Sequence, residues 1–258
     1  MNDYEIIDVH AHLTWNSYDS DRDDVIERMK SGSIGAITIG VDYDSSVQAI
    51  ELAKQKDNLW ATVGIHPDHS PADEEFDKII ELAEDKIVVG IGECGLDYFR
   101  DDVSRDEQEK IFRQHINLAA KTGKPIMIHT RDQRGCFGVY DDAYRILCEH
   151  SEKVHPHFHF YAGDISMTEK LLDLGATFSI TAVITLTNDY DEMIRKIPIE
   201  NLMIETDSPF VAPKRIRGKR NEPSFINDVL GRIAEIKGMT TNEMKFALRE
   251  NTYKVFGI

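Results

Sequence analysis

A chain of 258 residues with 46 acidic against 30 basic side chains carries a formal net charge of -16, which excludes diffuse electrostatic capture of nucleic acid, since nonspecific affinity comes from neutralising phosphates with Lys and Arg. With 41% hydrophobic and 29% charged residues, and no apolar run near the roughly 18 residues of a membrane span, it reads as a soluble globular protein rather than a membrane one. Three cysteines (Cys94, Cys136, Cys148) without zinc-ribbon spacing, and a start lacking a basic region followed by an apolar one, point to free thiols in a cytoplasmic protein of unspecified oligomeric state.

Short apolar stretches alternate along the chain with longer amphipathic ones. The predicted strands are YEIIDVHAHL (4–13), IGAITIGVD (34–42), NLWATVGIHP (58–67), IVVGIGECGLD (87–97), PIMIHTRD (125–132), KVHPHFHFY (153–161), ATFSITAVIT (176–185) and NLMIETDSPF (201–210). Helix signals fall between them. Ser104 with Glu107 and Thr240 with Glu243 have the spacing of a capping box, and Ile111, Phe112, His115, Ile116 and Ala119 then recur at helical spacing until Gly123 and Pro125 stop the element. Gly32, Gly163 and Gly175 punctuate other junctions. The segment MTTNEMKFALRENTYKVFG reads as a last packing helix with Met244, Ala247, Leu248 and Phe256 inward. Eight such βα units predict a single-domain (β/α)8 TIM barrel over residues 1–258. An open doubly wound sheet is the competing architecture, but no GxGxxG or GxxxxGK[ST] follows any strand, so its nucleotide-binding forms lack their phosphate loop.

In such a barrel the chemistry sits where strands end. The first strand ends in His10 and His12, the third in His66, the fourth in Glu93, the fifth in His129, the sixth in His159 and the eighth in Asp207. In the first strand Ile7, Val9, Ala11 and Leu13 fall on one parity while Asp8, His10 and His12 fall on the other. Ile126, Ile128 and Thr130 likewise oppose His129, and Leu202, Ile204 and Thr206 oppose Asp207, which aims the ligand types into the barrel. One buried histidine is more often a hydrogen-bonded core residue than a ligand, but convergence of six ligand types at one rim has no packing rationale, because unpaired buried carboxylates and imidazoles are costly. His10, His12, Glu93, His129, His159 and Asp207 exceed what one catalytic ion needs and suit two divalent ions about 3.5 to 4 Å apart, with Glu93 as the bridge. In VHPHFHFY, His159 lies nearest the rim, His157 deeper and His155 outside the centre; Asp8 and Glu205, a step below the ligands, orient histidines or hold buried polar contacts.

Read together, DVHAHL (8–13), VGIHP (63–67), GECGLDY (92–98), PIMIHTR (125–131), HFYAG (159–163), ETDSPF (205–210) and RGKRNEP (217–223) resemble the ordered motifs of the TatD-type metal-dependent hydrolases, barrel enzymes related to the amidohydrolase superfamily. The resemblance spans nearly the whole chain. It implies His10, His12, Glu93 and Asp207 around one ion and Glu93, His129 and His159 around the other. It also implies His66 near a substrate phosphate, substrate contacts from Arg131 and from Arg217, Lys219 and Arg220, and a loop-stabilising Asp97. The chain departs from the family in carrying Asp68 where a further histidine is common, and HFYAG in place of the usual HCFSG.

The resemblance implies the activity of a deoxyribonuclease on single strands or 3′ ends, in which two divalent ions (Zn, Mn or Mg, with Fe and Ni also suited to histidine-rich ligation) would activate a water for in-line attack on phosphorus. Glu93 and Asp207 are its catalytic carboxylates, Asp207 being the proton acceptor; His66 and Arg131 stabilise phosphoryl charge, and Arg217, Lys219 and Arg220, in the one basic run of the chain, meet flanking phosphates. The same metals would also serve hydrolysis of an ester, amide or aminoacyl-tRNA bond, and a noncatalytic metal-dependent nucleic-acid binder is the reading from a different class.

Overall fold

The computed structural model describes residues 4–71, 74–100, 102–133, 135–150 and 154–258. Its elements follow one another as β1 (Ile6–Ala11), α1 (Arg22–Ser31), β2 (Ile34–Ile39), α2 (Tyr43–Gln55), β3 (Leu59–Val63), α3 (Glu75–Leu82), β4 (Val88–Asp97), α4 (Arg105–Thr122), β5 (Ile126–Arg131), α5 (Gly138–Cys148), β6 (Pro156–Phe158), α6 (Ile165–Asp173), β7 (Thr177–Ile180), α7 (Asp191–Lys196), β8 (Leu202–Ile204), α8 (Ile226–Lys237) and α9 (Thr241–Phe256). The strands are parallel and neighbour one another in chain order from β1 to β8. The ends then meet: Asp207 N donates to His10 O (2.9 Å) and His12 N donates to Ser208 O (2.8 Å), which closes the TIM barrel. Among the described residues no helix is long and apolar enough to cross a membrane.

Strand alternation sorts the apolar side chains into two clusters. Val9, Ile37, Ile39, Val89, Met127 and Met203 pack together with Phe256 of α9, while Ala36, Ala61, Val63, Ile126, Ile128, Phe158, Phe178 and Ile204 pack with the helices. The alternation expected of β1 is broken. Val9 lies in the first cluster but Ala11 and Leu13 in the second, because the pairing with β2 shifts by one residue between Asp8 and Ala11. Asp8 accordingly accepts hydrogen bonds from His10 N, Thr206 N and Thr206 Oγ1, joining the first strand to the last. Strand β4 shifts against β5 between Ile91 and Cys94, again by one residue, and Glu93 sits in that bulge. Glycine permits it: a Cβ on Gly92 would lie 2.4 Å from Met127 O and one on Gly95 2.1 Å from His129 O, both at positive φ.

Several boundaries differ from the sequence expectation. ATFSITAVIT is strand only over β7, after which the Thr181 side chain accepts from Val183 N and caps a 3-10 turn, Ala182–Thr185. Strands β6 and β8 hold three residues each, so His159 and Asp207 lie past their ends. Thr240 and Glu243 form the full capping box of α9, whereas Ser104 caps α4 with Glu107 turned to Ser70 instead. A further box, Asp42 with Ser45, opens α2. In α9 Met244, Leu248 and Phe256 are buried while Ala247 is only partly so.

Candidate metal centre

The two bulged strands, strand β5 and the segments just past β6 and β8 bring the predicted ligand types together at one rim. Glu93 lies at the middle. Its Oε2 is 3.3 Å from His10 Nε2 and 3.7 Å from His12 Nε2, and Asp207 Oδ1 completes that side at 3.3 Å from His12 Nε2 and 3.8 Å from His10 Nε2. Its Oε1 faces the other way, 2.9 Å from His129 Nδ1 and 2.8 Å from His159 Nε2, with His66 Nε2 at 3.6 Å. The two sides touch through the stacked rings of His10 and His159, whose centroids are 3.8 Å apart. Asp207 adopts a φ of 50°, a left-handed turn rather than the extended strand that its parity implied.

Carboxylates hold two of the imidazoles, His129 and His66, from behind, whereas among the described residues the buried Nδ1 atoms of His10 and His159 have no hydrogen-bond partner. Asp97 Oδ2 lies 3.2 Å from His129 Nε2, while its Oδ1 accepts from Phe99 N (2.9 Å) and Arg100 N (3.1 Å), so Asp97 both stabilises its loop and turns Nδ1 of His129 to the centre. The side chain of Gln108 on α4 fixes Asp97 in turn, accepting from Asp97 N at 2.8 Å and donating to Asp97 O at 3.0 Å. Glu205 Oε1 faces His159 Nδ1 at 3.5 Å, beyond good hydrogen-bond geometry, and accepts from Phe160 N, while its Oε2 accepts from Ser179 Oγ. His66 Nδ1 bonds the Asp68 carboxylate, which also holds Arg100. His157 lies deeper, bonded at 2.9 Å to both Thr177 Oγ1 and Ser179 Oγ, and His155 reaches Thr177 Oγ1 at 3.3 Å outside the centre.

Electrostatics follow from this enclosure. Burial pushes the Glu93 carboxyl up, but the imidazoles of His159, His10 and His66 outweigh it and hold it well below the usual carboxylate range. Against the same burial, the His12 hydrogen bond and the His12 and His10 rings bring Asp207 below its ordinary value. Burial and the neighbouring His159 push His10 down, which favours the neutral ring that ligates metal. The residues fit divalent ions. His10 Nε2 and His12 Nε2 converge to 3.2 Å, and ligands held about 2.0 to 2.2 Å from a shared tetrahedral ion lie roughly 3.3 Å apart. Histidine and carboxylate without thiolate is the donor set of a catalytic rather than a structural site.

The centre opens into a cavity of about 1050 Å³ whose lining includes His66, Arg131, Trp15 and Phe210. Arg131 stacks on Phe99 with its guanidinium 4.0 Å from the ring centre. The basic loop is placed differently from Arg131. Arg217 and Lys219 are exposed and do not line the cavity, and Arg220 is committed to Asp21 (2.6 and 2.7 Å) and to Ser17 O. The same loop's Asn221 donates to Thr206 O, and Glu222 pairs with Arg28 of α1, so half of RGKRNEP braces the barrel. Sequence reading missed Gln108, which an amphipathic helix conceals, and also Trp15 and Phe210. Each of those aromatics follows a ligand candidate by three residues, the one signal they carried.

A family model described as TatD related DNase matches residues 7–257. The chain is 36% identical to an uncharacterized metal-dependent hydrolase of Bacillus subtilis, YabD, over 98% of this chain and 99% of that one. It is 30% identical to the 3'-5' ssDNA/RNA exonuclease TatD of Klebsiella pneumoniae, over 98% of both chains. The crystal structure of YJJV, a TatD homolog from Escherichia coli, superposes with a TM-score of 0.90 over 99% of each chain at 23% identity, a likeness that speaks to the fold.

Proposed function

This chain belongs to the TatD-related DNase family and is a metal-dependent hydrolase, and from that premise we propose that it hydrolyses phosphodiester bonds of single-stranded DNA, acting at 3′ ends, with two divalent ions of the Zn, Mn or Mg type. The observation that carries this reading is the division of Glu93, whose two oxygens face two separate sets of imidazoles. In it His10, His12, Glu93 and Asp207 would hold one ion and Glu93, His129 and His159 the other. Bound, the ions supply Lewis-acid activation of water and neutralise phosphoryl charge.

The protein's own groups do the remaining work. Asp207, held at the rim by its turn, takes the proton of the attacking water as the water oxygen bonds to phosphorus and the bond to the leaving sugar oxygen breaks, and that oxygen takes a proton from solvent to leave as an alcohol. Arg131, braced on Phe99, lies in the cavity wall where it donates to phosphoryl oxygens, and His66, its Nδ1 turned to the Asp68 carboxylate, lies in the same wall near the phosphate. The three free thiols, two of them exposed, support a reducing compartment, the cytoplasm. Purified protein loaded with each metal should shorten an end-labelled single-stranded oligonucleotide, with elemental analysis giving two ions per chain. Glu93→Gln, which removes the shared charge at nearly constant volume, should abolish cleavage and lower the ion count while the circular dichroism spectrum stays native. Undiminished cleavage by that variant would refute the assignment of Glu93.

A further inference from the structure

Of three exposed aromatic side chains that line the cavity, Phe137 packs on Tyr140, and the other two, Trp15 at 41% exposed and Phe210 at 42%, stand together. Single exposed apolar side chains are ordinary, but these two are a pair and are held rigidly. Trp15 N donates to His12 O (3.1 Å) and Phe210 N donates to Asp207 O (2.9 Å), so a turn ties each aromatic to a residue of the centre. The bond from His12 N to Ser208 O joins the two turns. The rings meet edge to face with centroids 5.4 Å apart, and each also meets the His12 ring, at 6.0 Å for Trp15 and 5.7 Å for Phe210.

Charge is arranged on the other side. Among the described residues that line the cavity, Arg100 and Arg131 are the only Lys or Arg, and both adjoin Phe99, Arg131 by stacking on it and Arg100 as its neighbour in sequence. The Trp15 and Phe210 side therefore offers flat apolar surface within one ring's breadth of the centre, with no cation for a second phosphate. An uncharged, planar group attached to a phosphate at the centre fits that description, and a nucleobase is such a group.

We propose that Trp15 and Phe210 form a nucleobase subsite, on which the base of the nucleotide being cleaved stacks while its phosphate occupies the centre. The inference rests on the nuclease reading and adds a reason for strand preference. A base lying on this platform has left its Watson–Crick partner, so paired DNA must first be opened there, at a cost of a few kcal/mol that a single strand or frayed end avoids. Stacking tolerates any base, so the subsite selects for unpaired state and not for sequence.

Trp15 supplies its own reporter. The chain's other tryptophan, Trp60, packs on Tyr4 and does not line the cavity, so Trp60→Phe leaves Trp15 as the one indole. In that background, dAMP should quench the emission and bind about 5- to 150-fold more tightly than 2-deoxyribose 5-phosphate, the span expected of one stacked base. Phe210→Ala should erase that preference and Phe210→Tyr should keep it. Equal binding of the two ligands, or an unchanged preference in Phe210→Ala, overturns the subsite. Cleavage is scored separately on oligonucleotides ending in a normal or an abasic nucleotide. Base-dependent quenching without cleavage of any DNA leaves the subsite standing and sinks the nuclease reading. Equal cleavage of both ends with no base-dependent quenching does the reverse.

Discussion

His115 of α4 makes a sharp test of how the rim is held, because it is buried, carries a proton-sensitive group and touches no proposed ligand. Its Nδ1 bonds Ile111 O at 2.8 Å, so Nδ1 carries the proton and Nε2 is left to accept from Ile65 N at 3.0 Å, one residue before His66. A second proton would set two donors against each other in a site walled by Phe76, whose ring centre is 4.9 Å away. Burial accordingly brings this imidazole from 6.5 down to about 4. The folded state thus binds fewer protons than the unfolded state between those values. The stabilisation is complete above pH 6.5 and is lost as pH falls toward 4. A gap of about 2.5 pKa units at ~1.4 kcal/mol each corresponds to roughly 3 kcal/mol, or about 6 to 12 °C in Tm for a chain of this size. Urea unfolding of wild type and His115→Gln between pH 7 and pH 4 measures it: the wild type should lose about 3 kcal/mol more than the variant, which has no imidazole to titrate there. Parallel pH profiles for the two proteins would refute the claim that His115 is held neutral.

Asp97→Asn keeps the loop's backbone contacts but weakens the acceptor behind His129, and should cost roughly 10- to 100-fold in metal affinity, read by competition with a chromogenic chelator. Phe256→Ala empties the space among Val9, Ile37, Met127 and Met203 at the far end of the barrel from the centre; a loss of about 3 to 5 kcal/mol in urea unfolding is expected, with the ion count unchanged. Replacing Arg217 and Lys219 together by Ala should reduce the slope of log affinity for single-stranded DNA against log salt by about 1.4 if both meet phosphates, whereas an unchanged slope would remove this loop from the substrate path.

The fold was legible because eight apolar stretches at regular spacing admit few architectures, and the clustering of the candidate residues at one rim because histidine and carboxylate fell at the ends of those stretches. What escaped was local. Counting parity put Asp8 on the face of His10, but the shifted pairing of β1 resets the alternation, and no residue in IIDVHAHL announces that shift. In β4 the signal was present in Gly92 and Gly95, whose missing side chains let Met127 O and His129 O come close while Glu93 bulges inward. Asp207 was placed on a strand although β8 ends at Ile204, since the hydrophobic pattern cannot tell a strand from the turn that follows it. Arg220 looked free as part of KRIRGKR, and only three dimensions set Asp21 opposite it.

The barrel has one seam, where the first strand meets the last, and the candidate centre straddles it: His10 and His12 come from one margin, Asp207 from the other. An ion gripped by all three would be a rivet through the closure of the cylinder, and its binding free energy would add to the cohesion of that joint. Without such an ion the seam rests on the Asp8 to Thr206 bonds and the backbone bonds across the gap, so parting there, between the earliest and latest staves, is the opening that ion loss would make easier.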